Sequence, residues 1–221
     1  MEVKKLAGES AAKYVANGMI VGLGTGSTAY WAIQKIGEKI KHGLSIRAIA
    51  TSQESEELAS KLNIPLISFS DADHFDVTID GADEVDEKKY MIKGGGGALL
   101  REKIVASITK QYIIAVGESK LVKRLGKFPL PVEITPFAWE VTVKALENLE
   151  CKTTVRKKSG SFFITDNSNY IIDCVFNEIP DPENLSREIN MIPGVVENGI
   201  FLRRPDIVIV GKEDGTIKEI R

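Results

Sequence analysis

The feature that most constrains this chain is a series of short, mostly apolar runs, each passing through a polar or glycine-rich turn into a helical stretch. Met19–Leu23, Ile46–Ala50, Val77–Ile79 and Tyr112–Val116 show little of the polar alternation expected of a sheet with one wet face. Between them, Ser27–Lys41 sets Tyr30, Ile33, Ile36 and Ile40 near helical spacing. Glu54–Leu62 follows Ser52 in a capping position, and Ala98–Thr109 forms a third helical pattern. Pro65–Phe69 reads as a further strand. Strands apolar on both faces and separated by helices predict a parallel sheet covered on both sides.

The pattern changes at Phe128-Pro129-Leu130-Pro131. From there the reading is strand 131–135, helix 137–149, strands 152–157 and 161–165, a turn at 166–169, strand 170–176, helix 182–191 and strand 195–202. A hairpin set between helices predicts a small α+β, ferredoxin-like module. Asp206–Gly211 is apolar again, so the chain is expected to return to the first sheet. With 221 residues there is room for one large domain or two small ones. The expected fold class is α/β: a Rossmann-like, mostly parallel domain from 1–128 plus 203–221, with an inserted α+β domain at 129–202.

Charge narrows the function classes. Lys and Arg number 29 against 31 Asp and Glu, a formal net charge of −2, which argues against nucleic acid as a bulk partner. Cys151 and Cys174 lack CxxC spacing and are too few for a disulfide framework, so a reducing cytoplasm is expected. His42 and His74 cannot make a His-rich metal centre, although one of them could serve a triad. No apolar run approaches the roughly 18 residues of a membrane span, and no apolar signal core follows Met1–Lys5.

Four loops carry candidate chemistry. Gly22-Leu-Gly-Thr-Gly-Ser-Thr28 joins a strand to a helix, where free N–H groups and the helix dipole suit an anion. Its glycine spacing differs from the dinucleotide pattern and it lacks the Walker lysine, so a single phosphate or carboxylate fits better than a nucleotide. A plain turn capped by Ser27 is the alternative. Asp80-Gly-Ala-Asp83-Glu-Val-Asp86 ends an apolar strand. Its carboxylates could orient hydroxyls, exchange protons or hold a hard cation, or they could be turn residues bonding local backbone. Lys93-Gly-Gly-Gly-Gly97 suits close backbone approach to a ligand, with a flexible linker as the alternative. Glu102 lies in the following helix, outside the arc of Leu100, Ile104, Val105 and Ile108. Lys120 follows the strand 112–116, and Lys4 and Lys5 are further cations for a phosphate.

In their order along the chain these blocks resemble the type A ribose-5-phosphate isomerase family. The matching stretches are Gly24–Thr28, Asp80–Glu84, Lys93–Gly96 with Glu102, Glu118–Lys120 and Gly126–Glu133, with Pro193–Phe201 as a late segment. The resemblance implies interconversion of D-ribose 5-phosphate and D-ribulose 5-phosphate in the non-oxidative pentose phosphate pathway, without metal or organic cofactor. It implies that Glu102 is the base, that Asp80 and Asp83 open the sugar ring and handle hydroxyl protons, and that Lys93 stabilises the oxyanion. Thr25, Gly26, Ser27, Thr28, Lys120 and Lys4 would hold the phosphate. Gly81, Ala82, Gly94, Gly95 and Gly96 would line the substrate. It implies a homodimer or homotetramer with no nucleic acid or membrane partner. A sugar-phosphate sensor, an acyl-CoA transferase and a sugar-phosphate deaminase are the competing readings.

Overall fold

In chain order, the computed structural model, which describes residues 2–221, contains α1 (Glu2–Ala11), β1 (Ile20–Leu23), α2 (Ala29–Lys41), β2 (Arg47–Ala50), α3 (Gln53–Lys61), β3 (Phe75–Asp80), β4 (Glu84–Val85), β5 (Met91–Ile92) and α4 (Leu99–Ser107). There follow β6 (Thr109–Gly117), β7 (Leu130–Ile134), α5 (Trp139–Glu147), β8 (Lys152–Val155), β9 (Lys157–Lys158), β10 (Ser161–Phe162), β11 (Tyr170–Val175), α6 (Pro182–Asn190), β12 (Val195–Asn198), β13 (Ile200–Phe201), β14 (Ile207–Gly211) and β15 (Ile217–Ile220). The chain divides into two compact units. One holds the residues up to Ala82 with Arg101–Lys120 and Arg203–Arg221, and the other holds Asp83–Leu100 with Leu121–Leu202.

The first unit is built on a six-stranded sheet of order β15-β14-β6-β3-β1-β2, parallel except for β15 at its edge. Successive residues of β1 point to opposite faces. Val21 and Leu23 pack with Ile33 and Ile36 of α2 and Ala7 and Ala11 of α1. Ile20 packs the other way, with Ile49, Phe75 and Val105 of α4. Both faces are therefore apolar, which is why the strands read as continuous hydrophobic runs. The neighbours of β1 are β2 on one side and β3 on the other, so the strand order reverses there. In open α/β sheets such a reversal leaves a crevice beyond the carboxyl ends of the strands.

Two departures from the sequence expectation fall in this unit. Pro65–Phe69 is not a strand: Leu66 makes a lone parallel bridge to Ala48, and Phe69–Asp71 forms a 3-10 turn with Ser68 and Asp71 in a reciprocal capping box. The run is too short before its Ser68–Asp71 cap to extend the pairing. The helix α1 and the edge strand β15, both rich in charge, carry too little periodicity to stand out in the sequence.

The second unit contains a four-stranded antiparallel sheet of order β12-β7-β11-β8, with α5 between β7 and β8 and α6 between β11 and β12. This is the βαββαβ arrangement expected of a ferredoxin-like module. One face presents Leu130, Val132, Ile134, Ile172 and Cys174 to Leu146 of α5 and Ile189 of α6. By strand alternation and register, the other face carries Pro131, Glu133, Ile171 and Asp173. A three-stranded β4–β5–β13 sheet and the β9–β10 hairpin complete the unit.

Residues 83–100 and 121–128 belong to this second unit, although composition alone groups them with the first. The cause is local. The buried Glu84 carboxylate accepts the N–H of Gly126 (2.8 Å) and of Phe128 (2.6 Å), while β5 pairs with β13. Among the described residues no helix is long and apolar enough to cross a membrane.

Candidate functional site

In the first unit, β1 runs into Gly24-Thr25-Gly26-Ser27-Thr28 beside the end of β3. A Cβ on Gly24 would stand 2.3 Å from Asp80 Oδ1 and 2.5 Å from its Cα, so only glycine lets the two strand ends pass. The Gly24 N–H donates to Ile79 O at 2.9 Å. Asp80 is fully buried, and its Oδ1 accepts the N–H of Thr25 (3.1 Å) and of Gly81 (2.8 Å). Burying a carboxylate costs several kcal/mol unless such donors compensate, and charge-assisted bonds to backbone amides are strong ones. Asp80 is thus a rigid carboxylate that also shapes the glycine loop.

The loop's side chains divide into two groups. Thr25 turns inward, with its hydroxyl bonded to Thr51 Oγ1 (2.7 Å) and Ser52 Oγ (2.8 Å), and Ser55 donates to Gly24 O at 2.7 Å. Gly26, in the left-handed region at φ +95°, and Ser27 are exposed. Ser27 Oγ accepts from Lys4 Nζ at 2.9 Å. The helix α2 begins after Thr28, which makes no side-chain cap. The plain turn capped by Ser27 is therefore not what forms; the Tyr30 and Trp31 N–H groups close on Gly26 O (2.9 Å) and Thr28 O (3.1 Å), and the positive end of the helix dipole is what suits an anion. Lys5 takes another course, lying 5.3 Å from the Trp31 ring centroid.

Two further residues join this unit. Lys120 closes the 3-10 turn 118–120 directly after β6, the neighbour of β3. Glu102 lies in the first turn of α4, one turn before the packed Val105, and is 4% exposed. A glutamate so sheltered in a helix is unusual, because ionisable side chains are seldom fully buried without a partner or a function.

The second unit organises the other candidates. The Asp83 N–H donates to Ile92 O (2.8 Å), and its Oδ2 accepts the Gly95 N–H (2.7 Å). A Cβ on Gly95 would lie 2.6 Å from Asp83 Oδ1, so this glycine too answers to a close carboxylate. Lys93 follows β5 and is 2% exposed, with its N–H on Gly199 O (2.9 Å) and its Nζ 5.4 Å from the Phe201 ring centroid. Gly94 and Gly97 both have positive φ, and the Gly97 N–H closes the turn on Gly94 O at 2.9 Å. The glycine run is an ordered loop rather than a linker.

Other acidic residues of the same stretch are structural. Asp86 bonds the N–H groups of Lys88 and Tyr90 within its own turn, and Glu84 is the tether described above. Asp76, at the opposite end of β3, accepts the Ile20 N–H at 2.9 Å. That bond, reinforced by Lys110 and His74, holds its carboxyl below the usual aspartate range. His74 lies 3.4 Å from Asp76, and the His42 ring bonds Glu38 O at the end of α2, so neither belongs to a triad. No group of three or more His, Cys, Asp or Glu able to hold a metal ion occurs among the described residues.

Sequence reasoning assigned no role to Glu84 or Glu133, although both stand in the matching stretches, and it missed Arg156. A carboxylate inside the apolar run of β7 was a signal for Glu133, while nothing local marked Arg156.

The residues 47–215 match the family model described as Ribose 5-phosphate isomerase A (phosphoriboisomerase A). A protein of Bacillus mycoides (strain KBAB4) named Ribose-5-phosphate isomerase A is 54% identical over 220 residues, covering 99% of each chain. Another, from Listeria monocytogenes serovar 1/2a, is 49% identical over 219 residues, covering 99% of this chain and 98% of its own. The solved ribose 5-phosphate isomerase A of Methanocaldococcus jannaschii superposes with a TM-score of 0.93 at 43% identity, covering 99% of this chain and 98% of that one. A D-ribose-5-phosphate isomerase in complex with phospho-erythronic acid gives 0.94 at 42%, with 100% and 98% covered.

Proposed function

The chain belongs to the ribose 5-phosphate isomerase A family, and we infer that it interconverts D-ribose 5-phosphate and D-ribulose 5-phosphate, an aldose–ketose isomerisation through an enediol or enediolate in the non-oxidative pentose phosphate pathway. The observation that carries this reading is the buried Glu102. Moving a proton between C1 and C2 requires a base in reach, a sheltered carboxylate can be one, and a positioned base contributes about 10²–10⁴-fold.

The assigned roles follow from chemistry. Glu102 takes the proton from the carbon next to the carbonyl and returns it to the neighbouring carbon. Lys93 brings positive charge to the oxygen on which the enediolate forms, and a lost donor of this kind typically costs about 10²–10³-fold. Asp80, clamped by two amides, and Asp83 orient the sugar hydroxyls and carry protons during ring opening, with Gly81, Ala82 and Gly94–Gly96 against the sugar. Gly26, Ser27 and Thr28 take the phosphate together with Lys120 and Lys4, while Thr25 holds the loop in place through its bonds to Asp80 and Ser52. Binding that remote group tightly supplies the orientation that the reacting carbons need.

We also propose a cytoplasmic homodimer or homotetramer. The two thiols, Cys151 and Cys174, are free and buried, as suits a reducing compartment. Phe137, Val141 and Met191 are 88%, 68% and 78% exposed, apolar surface that a second copy would cover.

The test is conversion of D-ribose 5-phosphate to the ketose with EDTA present, in wild type and Glu102→Gln. Wild type should turn over, and the variant should lose about 10³-fold in kcat while still binding inorganic phosphate. A folded wild type without conversion would refute the isomerase, and a variant near the wild-type rate would remove Glu102 from the mechanism.

A further inference from the structure

The polar face of the second unit's sheet holds a charged pair that the roles above do not use. Arg156 follows β8, and its side chain is only 14% exposed. Its Nε donates to Asp173 Oδ2 at 2.9 Å and its second terminal nitrogen donates to Asp173 Oδ1, so the carboxylate is gripped at both oxygens. The remaining nitrogen, Nη1, donates to Gly94 O at 2.7 Å and Gly95 O at 3.2 Å. The guanidinium lies 5.9 Å from the Phe163 ring centroid, and that ring presses on Gly97, where a Cβ would come within 2.4 Å of it.

This arrangement determines where backbone amides point. In a peptide plane the carbonyl of one residue and the N–H of the next face opposite ways. The Gly94–Gly95 plane is fixed at both ends, its carbonyl on Arg156 and its N–H on Asp83 Oδ2. The Gly95–Gly96 plane has its carbonyl on Arg156, so the N–H of the exposed Gly96 is directed away from the guanidinium. Four consecutive glycines have far more freedom than this, roughly 0.5–1 kcal/mol each beyond alanine in backbone entropy. They keep one set of amide directions only if something outside the loop holds them. The Asp173 carboxylate neutralises the guanidinium, so the pair contributes direction rather than field. Only a planar fork can grip a carboxylate and two carbonyls together, since an ammonium is a point charge with no fixed donor plane.

We propose that Arg156, locked by Asp173, is a positioning residue that aims the Gly96 amide of the Lys93–Gly97 loop at an oxygen of the substrate's reacting end. This rests on the isomerase reading and adds to it a residue that acts through the loop rather than on the sugar.

The experiment compares wild type, Arg156→Lys and Arg156→Ala by kcat and KM for D-ribose 5-phosphate, Kd for phospho-erythronic acid, Ki for inorganic phosphate, and melting temperature. Phospho-erythronic acid carries a carboxylate where the sugar has its reacting carbons, so its affinity reports on the loop without turnover. Arg156→Lys, which keeps the charge and is the variant expected to fold, should lose about 10²-fold in kcat/KM, mostly in kcat. It should bind phospho-erythronic acid about tenfold more weakly and inorganic phosphate within about twofold of wild type. Millimolar guanidinium should restore part of the Arg156→Ala activity. Either of two outcomes would overturn the proposal: kcat/KM and analogue affinity within about threefold of wild type in Arg156→Lys, or analogue and phosphate weakening in step with a falling melting temperature. A wild type that binds the analogue but does not isomerise would refute the isomerase alone, and the analogue and phosphate constants of Arg156→Lys would still decide the positioning role.

Discussion

The two units treat buried charge in opposite ways. In the parallel-sheet unit both faces of the sheet are apolar, and the candidate groups stand beyond the strand ends, where backbone amides hold Asp80 by its Oδ1. In the βαββαβ unit one sheet face itself carries charge: Glu133 and Asp173 project from its strands beside Pro131 and Ile171 and are held mainly by side chains. A parallel sheet sandwiched by helices has nowhere else to put a charge. A sheet with helices on only one face can carry charge on the other if a loop covers it. The difference teaches that a rigid site can be made either by backbone at a strand end or by a side-chain network under a loop. The two should fail differently when disturbed.

The largest effect should come from Gly24→Ala. The new Cβ meets the backbone and carboxylate of Asp80, neither of which can swing aside, so a loss of about 3 kcal/mol or more in urea unfolding is expected, together with most of the activity. Next is Glu133→Ala. Glu133 is fully buried, and its Oε1 accepts from Thr165 Oγ1 (2.9 Å), Asn167 Nδ2 (3.2 Å) and Asn169 Nδ2 (2.9 Å). Stranding those donors should cost about 2–3 kcal/mol, and Glu133→Gln, which keeps an acceptor, about 1 kcal/mol. Equal losses in the two variants would show that the charge, rather than the acceptor, holds the 165–169 turn.

Gly97→Ala should cost less than Gly24→Ala, about 1–2 kcal/mol, because the clash is with the Phe163 ring and the strain comes from φ +83°. A loss as large as at Gly24 would break the contrast between the units. The smallest effect is Asp76→Asn, about 1 kcal/mol at neutral pH, at the end of β3 remote from Asp80. The Asp76 carboxyl titrates below its unfolded value because of the Ile20 N–H bond. Its contribution is therefore present above the ordinary aspartate pKa of about 3.9 and fades as pH falls through the lower folded value. The stability gap between wild type and variant should be flat near pH 7 and close below about pH 4. A gap that stays fully open below the folded value of the Asp76 carboxyl would contradict the Ile20 bond as its cause.

Much of this was readable from the chain because it depends on local properties. The apolar runs specify strands covered on both faces, and helical spacing specifies the crossovers between them. The glycine clusters mark places where backbone comes close to something, and at Gly24 and Gly95 that something is an aspartate. The two-residue strands β4 and β5 were invisible, since no periodicity shows in two residues, and with them went the assignment of 83–100 to the second unit.

Asp80, Asp83, Glu84 and Asp86 stand within seven positions and look alike in the sequence. Folding makes Asp80 a clamped carboxylate at a strand end, Asp83 a partner of the glycine loop, Glu84 a tether to Gly126 and Phe128, and Asp86 a turn residue. The sequence by itself determined the sheet, its coverings and which loops are candidates, because hydrophobic period and backbone freedom act over a few residues. Only the tertiary structure decided what each charge does. The partners of Asp80, Glu84 and Arg156 lie 55, 42 and 62 residues away, and hydrogen bonds across such separations exist only once the chain has closed around them.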